Sequence, residues 1–380
     1  MKEYLKRYRI ILETTAPVFI GSGAQLRKKD YIYNFRKKKA WIFDPKILYQ
    51  KVRRENLLAE YEKFLIEEKN QDLYTWMKEN NIPPTQYEKW ANYGLDCSYA
   101  QLSKRDRDIQ LFVKDPYGKP YIPGSSLKGA LRTILLAYEA ALPSGNRKLQ
   151  GVCNEIQEVS RTGNTRDLRT NMGYSVRKLE TSIFHTIERE GVSKNQAVCD
   201  GMSGLRVSDS TPAHIQQLIL CQKLDQNIGG KEGARPIFRE CLRPGVKLQF
   251  DMSIDTTLCP YTADIILEAV DYFHQNMNQQ YKKFGSLKTE KGHMITIGGG
   301  AGYLSKTVTY NLYPEKTAIQ VTANIMRTIF DKPKKNGRKG SNDHSNDMRL
   351  GVSPHTIKKT RYGGQEFQFG QCRISFDALN

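Results

Sequence analysis

Between Lys114 and Leu135 the chain reads KDPYGKPYIPGSSLKGALRTIL, and the residue types in this run suit the binding of a phosphate. Ser125 and Ser126 follow Pro123-Gly124, a place where a hydroxyl can cap a helix. Leu127, Leu131, Ile134, Leu135 and Tyr138 recur at helical spacing behind them, and Lys128 and Arg132 stand four apart on a neighbouring face. The first amides of a helix lack intrahelical partners and sit at the positive end of its dipole. Amides, a serine hydroxyl and two cations meeting at one helix start form an anion site. No G-x-x-x-x-G-K-[ST] run occurs, so this is not a Walker loop. The plainer alternative is that Gly124 and Gly129 serve packing and the two cations are solvated.

Two further runs carry similar chemistry. Gly298-Gly299-Gly300-Ala301-Gly302 is followed by Lys306-Thr307, a cation and a hydroxyl. Glycine amides approach a phosphate closely because no Cβ intervenes. Gly21-Ser22-Gly23 reads as a flexible loop, followed by Arg27-Lys28-Lys29-Asp30.

Catalytic and metal chemistry are less well supplied. Of 6 histidines, His293, just before the glycine run, is the best placed for a general base at a 2′-hydroxyl. His185 and His274 fall in helical patterns, and His344 falls in a polar tail segment. There is no H-E-x-x-H and no clustered His/Cys/Asp set, so neither a metal nor another cofactor is expected. Gly201-Met202-Ser203-Gly204-Leu205 misses the G-x-S-x-G elbow at its last position.

The whole composition favours a polyanion partner. The 380 residues include 59 Lys plus Arg against 40 Asp plus Glu, a formal charge of +19. The 21 tyrosines often neighbour cations, as at Tyr31, Tyr33 and Phe35 beside Arg36 to Lys39. Stacking rings among cations suit single-stranded RNA, although these three rings also read as one face of a strand. No apolar run approaches the roughly 18 residues of a membrane span, and Ile10-Ile11-Leu12 is too short for a signal core. An odd set of 7 scattered cysteines without C-x-x-C reads as reduced thiols, so a cytoplasmic protein is expected.

These runs must be positioned by two α+β units. Residues 1–142 read as a first unit: a strand over 8–15, a hairpin of Tyr31–Phe35 with Ala40–Phe43, and a helix capped by Asp44 with Pro45 at its first position. A polar helical insertion spans about 55–105, broken by Pro83-Pro84. Residues 143–200, with Arg161, Arg166, Arg169 and Arg177 amid Gly, Asn and Thr, read as a mobile basic connector. Residues 201–380 read as a second unit. It has a strand at 205–210, a hairpin of Ile237–Leu242 with Lys247–Ile254 around Arg243-Pro244-Gly245, an amphipathic helix over 261–280, the glycine loop 298–302, a flexible basic loop 331–347 and a last strand at Cys372–Phe376.

The PGSSLKGALR helix start, the HMITIGGGAGYLSKT run, SPHTIKKT with Ser353-Pro354 and Lys358, and the closing GQCRISF strand together resemble the RAMP superfamily of CRISPR interference complexes. PGSSLKG is shared across that superfamily. The glycine run with its Lys306-Thr307, and the GSGAQLRKKDYIYN opening, look most like the fifth Csm subunit, which caps the type III-A effector at the 3′ end of its RNA. The resemblance implies two ferredoxin-like, RNA-recognition-like domains. It also implies a non-catalytic role in complex assembly and in 3′-end maturation of CRISPR RNA. The implied partners are CRISPR RNA, the Csm backbone and small subunits, target RNA and housekeeping ribonucleases that trim the 3′ end, with no membrane.

On this reading Gly21, Ser22, Gly23, Arg27, Lys28, Lys29, Ser125, Ser126, Lys128, Arg132, Gly298, Gly299, Gly300, Gly302, Lys306 and Thr307 contact RNA. The Csm backbone subunits cleave target RNA with an aspartate in the corresponding amino-terminal loop, which makes Asp30, with His293, a catalytic alternative. The rival readings are a RAMP endoribonuclease acting on precursor RNA, the RAMP subunit that holds the 5′ tag, and a protein scaffold whose charge serves solubility alone.

Overall fold

The computed structural model describes residues 4–67, 71–100, 108–285, 291–330 and 344–379. In β1 (Leu5–Thr14), Ile10, Leu12 and Thr14 are buried and alternate with half-exposed residues, the period of a strand with one face in a core. Gly21-Ser22-Gly23, expected as a loop, instead opens an exposed strand, β2 (Gly21–Leu26). The Ser22 hydroxyl accepts from the Ala24 amide and donates to the Leu111 carbonyl, which holds a bulge there. β3 (Tyr31–Asn34) and β4 (Lys39–Ile42) form the expected hairpin. Asp44 caps α1 (Pro45–Arg54) by accepting from the amides of Lys46 and Ile47, with Pro45 at the first position. Such a cap contributes about 1 kcal/mol.

Three short helices follow: α2 (Leu58–Ile66), α3 (Leu73–Glu79) and α4 (Pro84–Trp90). Their Tyr61, Phe64, Trp76 and Trp90 pack with Ile32 and Trp41 into a small core of their own. The helical insertion ends there. Tyr93–Asp96 returns to the sheet as β5, because Leu95 is needed in the main core. β6 (Ile109–Phe112) then leads to the expected turn, where the Asp115 carboxylate accepts from the amides of Tyr117 and Lys119.

α5 (Gly124–Ala141) buries Leu127, Leu131, Ile134 and Leu135. The connector expected over 143–200 is largely helical: α6 (Pro143–Ser160) packs against α7 (Thr165–Phe184). Leu149, Ile156, Leu168, Leu179 and Ile183 recur at helical spacing and are buried. The Gly and Asn of SRTGNTRDLRTN make only the corner, where Asn164 accepts from the amides of Arg166 and Asp167.

β7 (Leu205–Val207), β8 (Leu218–Asn227), β9 (Glu232–Leu242) and β10 (Lys247–Asp255) come next. β9 and β10 do not pair as the hairpin that Arg243-Pro244-Gly245 suggested; they belong to different sheets. Thr14 holds this corner, donating to the Arg243 carbonyl and accepting from the Val246 amide while its carbonyl takes the Gly245 amide. β10 therefore peels away to lie along β1. After it come α8 (Ala263–Tyr281), β11 (Met294–Thr296), α9 (Thr309–Leu312), α10 (Glu315–Phe330), α11 (Asp347–Leu350), β12 (Thr356–Tyr362), β13 (Gln365–Gln368) and β14 (Gln371–Leu379). Of the flexible loop expected at 331–347, residues 331–343 lie outside the described residues. Residues 344–347 are ordered against the core: His344 and Asp347 are buried.

The α+β class holds, with two sheets. One has the order β11-β14-β1-β10-β7. Along the chain it runs β1-α5-β7-β10-α8-β11, the βαββαβ path of a ferredoxin-like unit, with α5 and α8 packed together. The other has the order β2-β6-β9-β8-β5-β4-β3, with β12 attached along the far half of β8 and β13 paired to β12. Each sheet takes strands from both ends of the chain, so the boundaries expected at 142 and 201 do not separate them. Within the second sheet Glu240, fully buried on β9, accepts from Lys114 Nζ at 2.5 Å, the Tyr93 hydroxyl at 2.7 Å and the Phe112 amide at 2.9 Å, tying β9 to β5 and β6.

Candidate nucleic-acid interface

The start of α5 and the end of β11 face each other across a cavity of about 490 Å³. Gly21, Ser125, Ser126, Gly298, Gly299 and Lys306 all line it, so three separate runs of the sequence meet at one place. The first residues of α5 are not arranged as a hydroxyl cap. Pro123 is the N-cap, and neither serine makes a side-chain cap bond. The Gly124 amide donates to Asp209 at 2.8 Å and the Ser126 amide to the Pro123 carbonyl. The Ser125 amide has no acceptor among the described residues. Ser125, Gly129 and Thr133 then form one open stripe of α5 toward the cavity. Gly124 itself serves packing: a Cβ there would lie 2.3 Å from the Val207 and Ser208 carbonyl oxygens.

The glycine loop is pinned down from below. The Gly299 amide donates to the Phe19 carbonyl at 2.7 Å. Gly298 has φ +73°, and a Cβ on it would lie 2.2 Å from that same oxygen. Only glycine fits both demands. The amides of Gly298 and Gly300 have no acceptor among the described residues. Gly300 and Gly302 complete the loop without lining the cavity.

Lys306 is exposed, and no acceptor among the described residues meets its Nζ. Crowding by the surrounding protein lowers its pKa from the ordinary lysine value, the expected effect of partial desolvation on an unpaired cation. A bound phosphate would supply the missing partner. The Thr307 hydroxyl does not join it, because it donates to the Tyr303 carbonyl at 3.1 Å.

Other expected contacts are committed elsewhere. Lys128 Nζ donates to the Leu205 carbonyl at 2.7 Å, and burial lowers its pKa. Arg132 bonds Asp200 at 2.7 Å and Glu180 at 3.0 Å, over the ring of Phe184. Both lie on the inner side of α5, facing β7 and α7, so the two cations are structural. Lys29 Nζ takes the carbonyls of Phe64, Leu65 and Glu67 and so caps the end of α2. Asp30 closes a turn with Arg27, accepting from its amide at 2.7 Å. The Lys28 carbonyl accepts from the Leu73 amide, Arg27 is exposed, and Gly23 lies in the bulge of β2; none of these lines the cavity. His293 pairs with Asp271 at 2.9 Å on the surface. The strand β11 separates it from Gly298, about 16 Å at ordinary strand rise.

Sequence reasoning missed Arg239. Its guanidinium lies between the rings of Phe19 and Phe369, 5.3 and 5.6 Å from their centroids, directly beneath Gly300. Nε donates to Gln110, while Nη1 is buried without a partner. Nothing in the β9 pattern distinguishes this arginine from its neighbours. Arg166, Arg169 and Arg177 fall in the segment expected to be mobile; they stand exposed on the outer face of α7, together with Tyr174. The expectation of no clustered ligand set also fails, since His344, Asp347 and His355 come together.

Comparison with known proteins agrees with this architecture. A Mycobacterium tuberculosis protein named CRISPR system Cms protein Csm5 is 27% identical over 99% of this chain and 99% of its own length. A protein of the same name from Streptococcus thermophilus is 27% identical over 81% of this chain and 82% of that one. The fold matches a chain in the cryo-EM structure of a Csm–crRNA–target RNA ternary complex of a type III-A CRISPR-Cas system, with TM-score 0.63 and 21% identity over 97% and 100% of the two chains. It also matches the crystal structure of T.onnurineus Csm5, with TM-score 0.57 and 19% identity over 96% and 99%. The RAMP superfamily model matches residues 11–305, from β1 through the glycine loop to the residue before Lys306, and the chain belongs to that superfamily.

Proposed function

We infer that the chain is a non-catalytic subunit of a type III-A Csm complex, and that it holds the 3′ part of the CRISPR RNA at the end of the stacked backbone subunits. The observation that carries this reading is the meeting, around one cavity, of the amides of Ser125 and Gly298 with Lys306, none of which has a partner among the described residues. Free N–H groups and a single cation recognise a phosphate without reading its base. The cavity offers no histidine or carboxylate to activate a 2′-hydroxyl. In this role the chain joins CRISPR RNA to the backbone and small subunits, meets target RNA, and presents the RNA 3′ end to separate ribonucleases in the cytoplasm. The names of the Csm5 relatives and the fold of the Csm-complex chain support the assignment.

The test is Lys306→Glu combined with Gly129→Asp, which puts two negative charges at the cavity. Complexes carrying this chain should assemble with less CRISPR RNA, and the RNA they hold should have an altered 3′ length. Unchanged occupancy, length and assembly would remove the site from the proposal. Crosslinks from Lys306 to the 5′ tag would favour the subunit that holds the other end.

One observation favours a second reading, an endoribonuclease: His293 is partly exposed and oriented by Asp271. Repeat RNA incubated with the protein in EDTA decides it. Cleavage that is lost in His293→Ala would establish an enzyme.

A further inference from the structure

We propose that His344, Asp347 and His355 bind one divalent transition metal of the zinc class, which fastens the α11 region to the start of β12. Their donor atoms all lie within 4.8 Å of one another. Asp347 is fully buried. Its carboxylate receives His344 Nδ1 at 2.8 Å, His355 Nδ1 at 2.6 Å and the Ser353 hydroxyl at 2.6 Å. His344 meets Oδ2 and His355 meets Oδ1, and the two ring centroids lie 4.5 Å apart.

A carboxylate buried between two imidazoles needs positive charge beside it. Neutral imidazoles can each donate an Nδ1–H to the carboxylate but leave its charge uncompensated; one dication in place of those two protons supplies that charge and takes all three groups as ligands. Imidazole and carboxylate are the donor types that suit zinc, and three protein donors leave a fourth position for the Ser353 hydroxyl or solvent. Donors around tetrahedral zinc stand about 3.3 Å apart, so the N···O contacts, made at 2.8 and 2.6 Å to different oxygens of Asp347, must open by about 0.5–0.7 Å. Side-chain rotation supplies that.

The location gives the metal a structural task. The carbonyl of His355 accepts from the Ile228 amide just past β8. The Tyr310 hydroxyl donates to the Ser353 carbonyl at 2.6 Å, and Tyr310 stands in α9, shortly after Lys306. The cluster therefore ties β8, β12 and α9 together behind the glycine loop, apart from the cavity itself. It does not depend on the RNA assignment.

The full chain, stripped with chelator, should take up one equivalent of Co²⁺ with visible absorption typical of nitrogen and oxygen donors and no thiolate charge-transfer band. Zn²⁺ should displace it and raise the melting temperature by several degrees. His355→Gln should weaken zinc binding at least tenfold and abolish that rise. The wild-type cobalt spectrum stands even if the variant folds poorly. The proposal is overturned if the stripped wild type takes up no metal saturably, if the spectrum shows sulfur ligation, or if folded His355→Gln binds zinc as tightly as the parent. The cluster would then be a hydrogen-bonded His–Asp–His group alone.

Discussion

Lys306 and Arg132 are both cations near the start of α5, yet they should respond differently to substitution. Lys306→Ala removes a charge with no partner among the described residues. RNA affinity should fall, and the slope of log affinity against log salt should lessen by about 1, with the melting temperature unmoved. Arg132→Ala breaks two charged hydrogen bonds and a ring contact, so it should cost about 2 kcal/mol of stability and leave the salt slope alone. Fluorescence anisotropy across a salt series, beside thermal melts, separates the two.

Asp225 is the anionic counterpart. Burial pushes its pKa up, but hydrogen bonds from Lys358 and Arg235 and the charges of Lys358 and Lys223 more than offset that, holding it below the usual carboxylate value. Its folded pKa is depressed, so its contribution is full above the unfolded value near ~3.9 and is lost as pH falls through the folded one. Asp225→Asn should cost about 2–3 kcal/mol in urea melts at pH 6, and the gap should begin to narrow below about pH 4 and close only below the depressed folded value. The sequence showed which residue types could hold a phosphate. Which cations were already spoken for depended on Leu205, Asp200 and the end of α2, partners remote in sequence that no local pattern names.

At the scale of elements, α5 and the glycine loop impose opposite demands on glycine. A Cβ on Gly129 would meet nothing within 4 Å, in the middle of a helix. Gly129→Ala should therefore stabilise the fold by about 0.5–1 kcal/mol. Gly298→Ala forces a left-handed φ and a clash with the Phe19 carbonyl, and should cost at least 2 kcal/mol. Urea midpoints moving in the same direction for both would refute this account. Elements with local signals were legible: the Asp44 cap, the turn at Asp115–Gly118 and the period of α8. The β9–β10 corner was not, because its turn residues permit a hairpin and only the pairing with β1 and β8 decides against one. The α6–α7 pair was obscured by Gly, Asn and Thr at its corner, although its buried leucines and isoleucines carried the helical period.

At the scale of the molecule, all 3 tryptophans, Trp41, Trp76 and Trp90, belong to the small core beside the edge strand β3. That core is small and carried on one side of a sheet edge, a setting for local unfolding. Tryptophan fluorescence should change at lower urea than far-UV circular dichroism; coincident transitions would show one cooperative unit. The α+β class was legible from the residues, and the ferredoxin-like path only through the family resemblance. The weaving of both chain ends into each sheet was not, since long-range pairing leaves no local trace. That weaving has a consequence for biosynthesis. β1 pairs with β14, with residues opposed such as Arg7 and Leu379. At about 5–20 residues per second, the ribosome needs roughly 20–75 s to traverse the intervening stretch. Both flanks of the first strand are uncovered until β10 is made, and the flank that β14 takes stays so to the end of that interval; the nascent chain, rather than the finished protein, is therefore where aggregation and chaperone capture should concentrate.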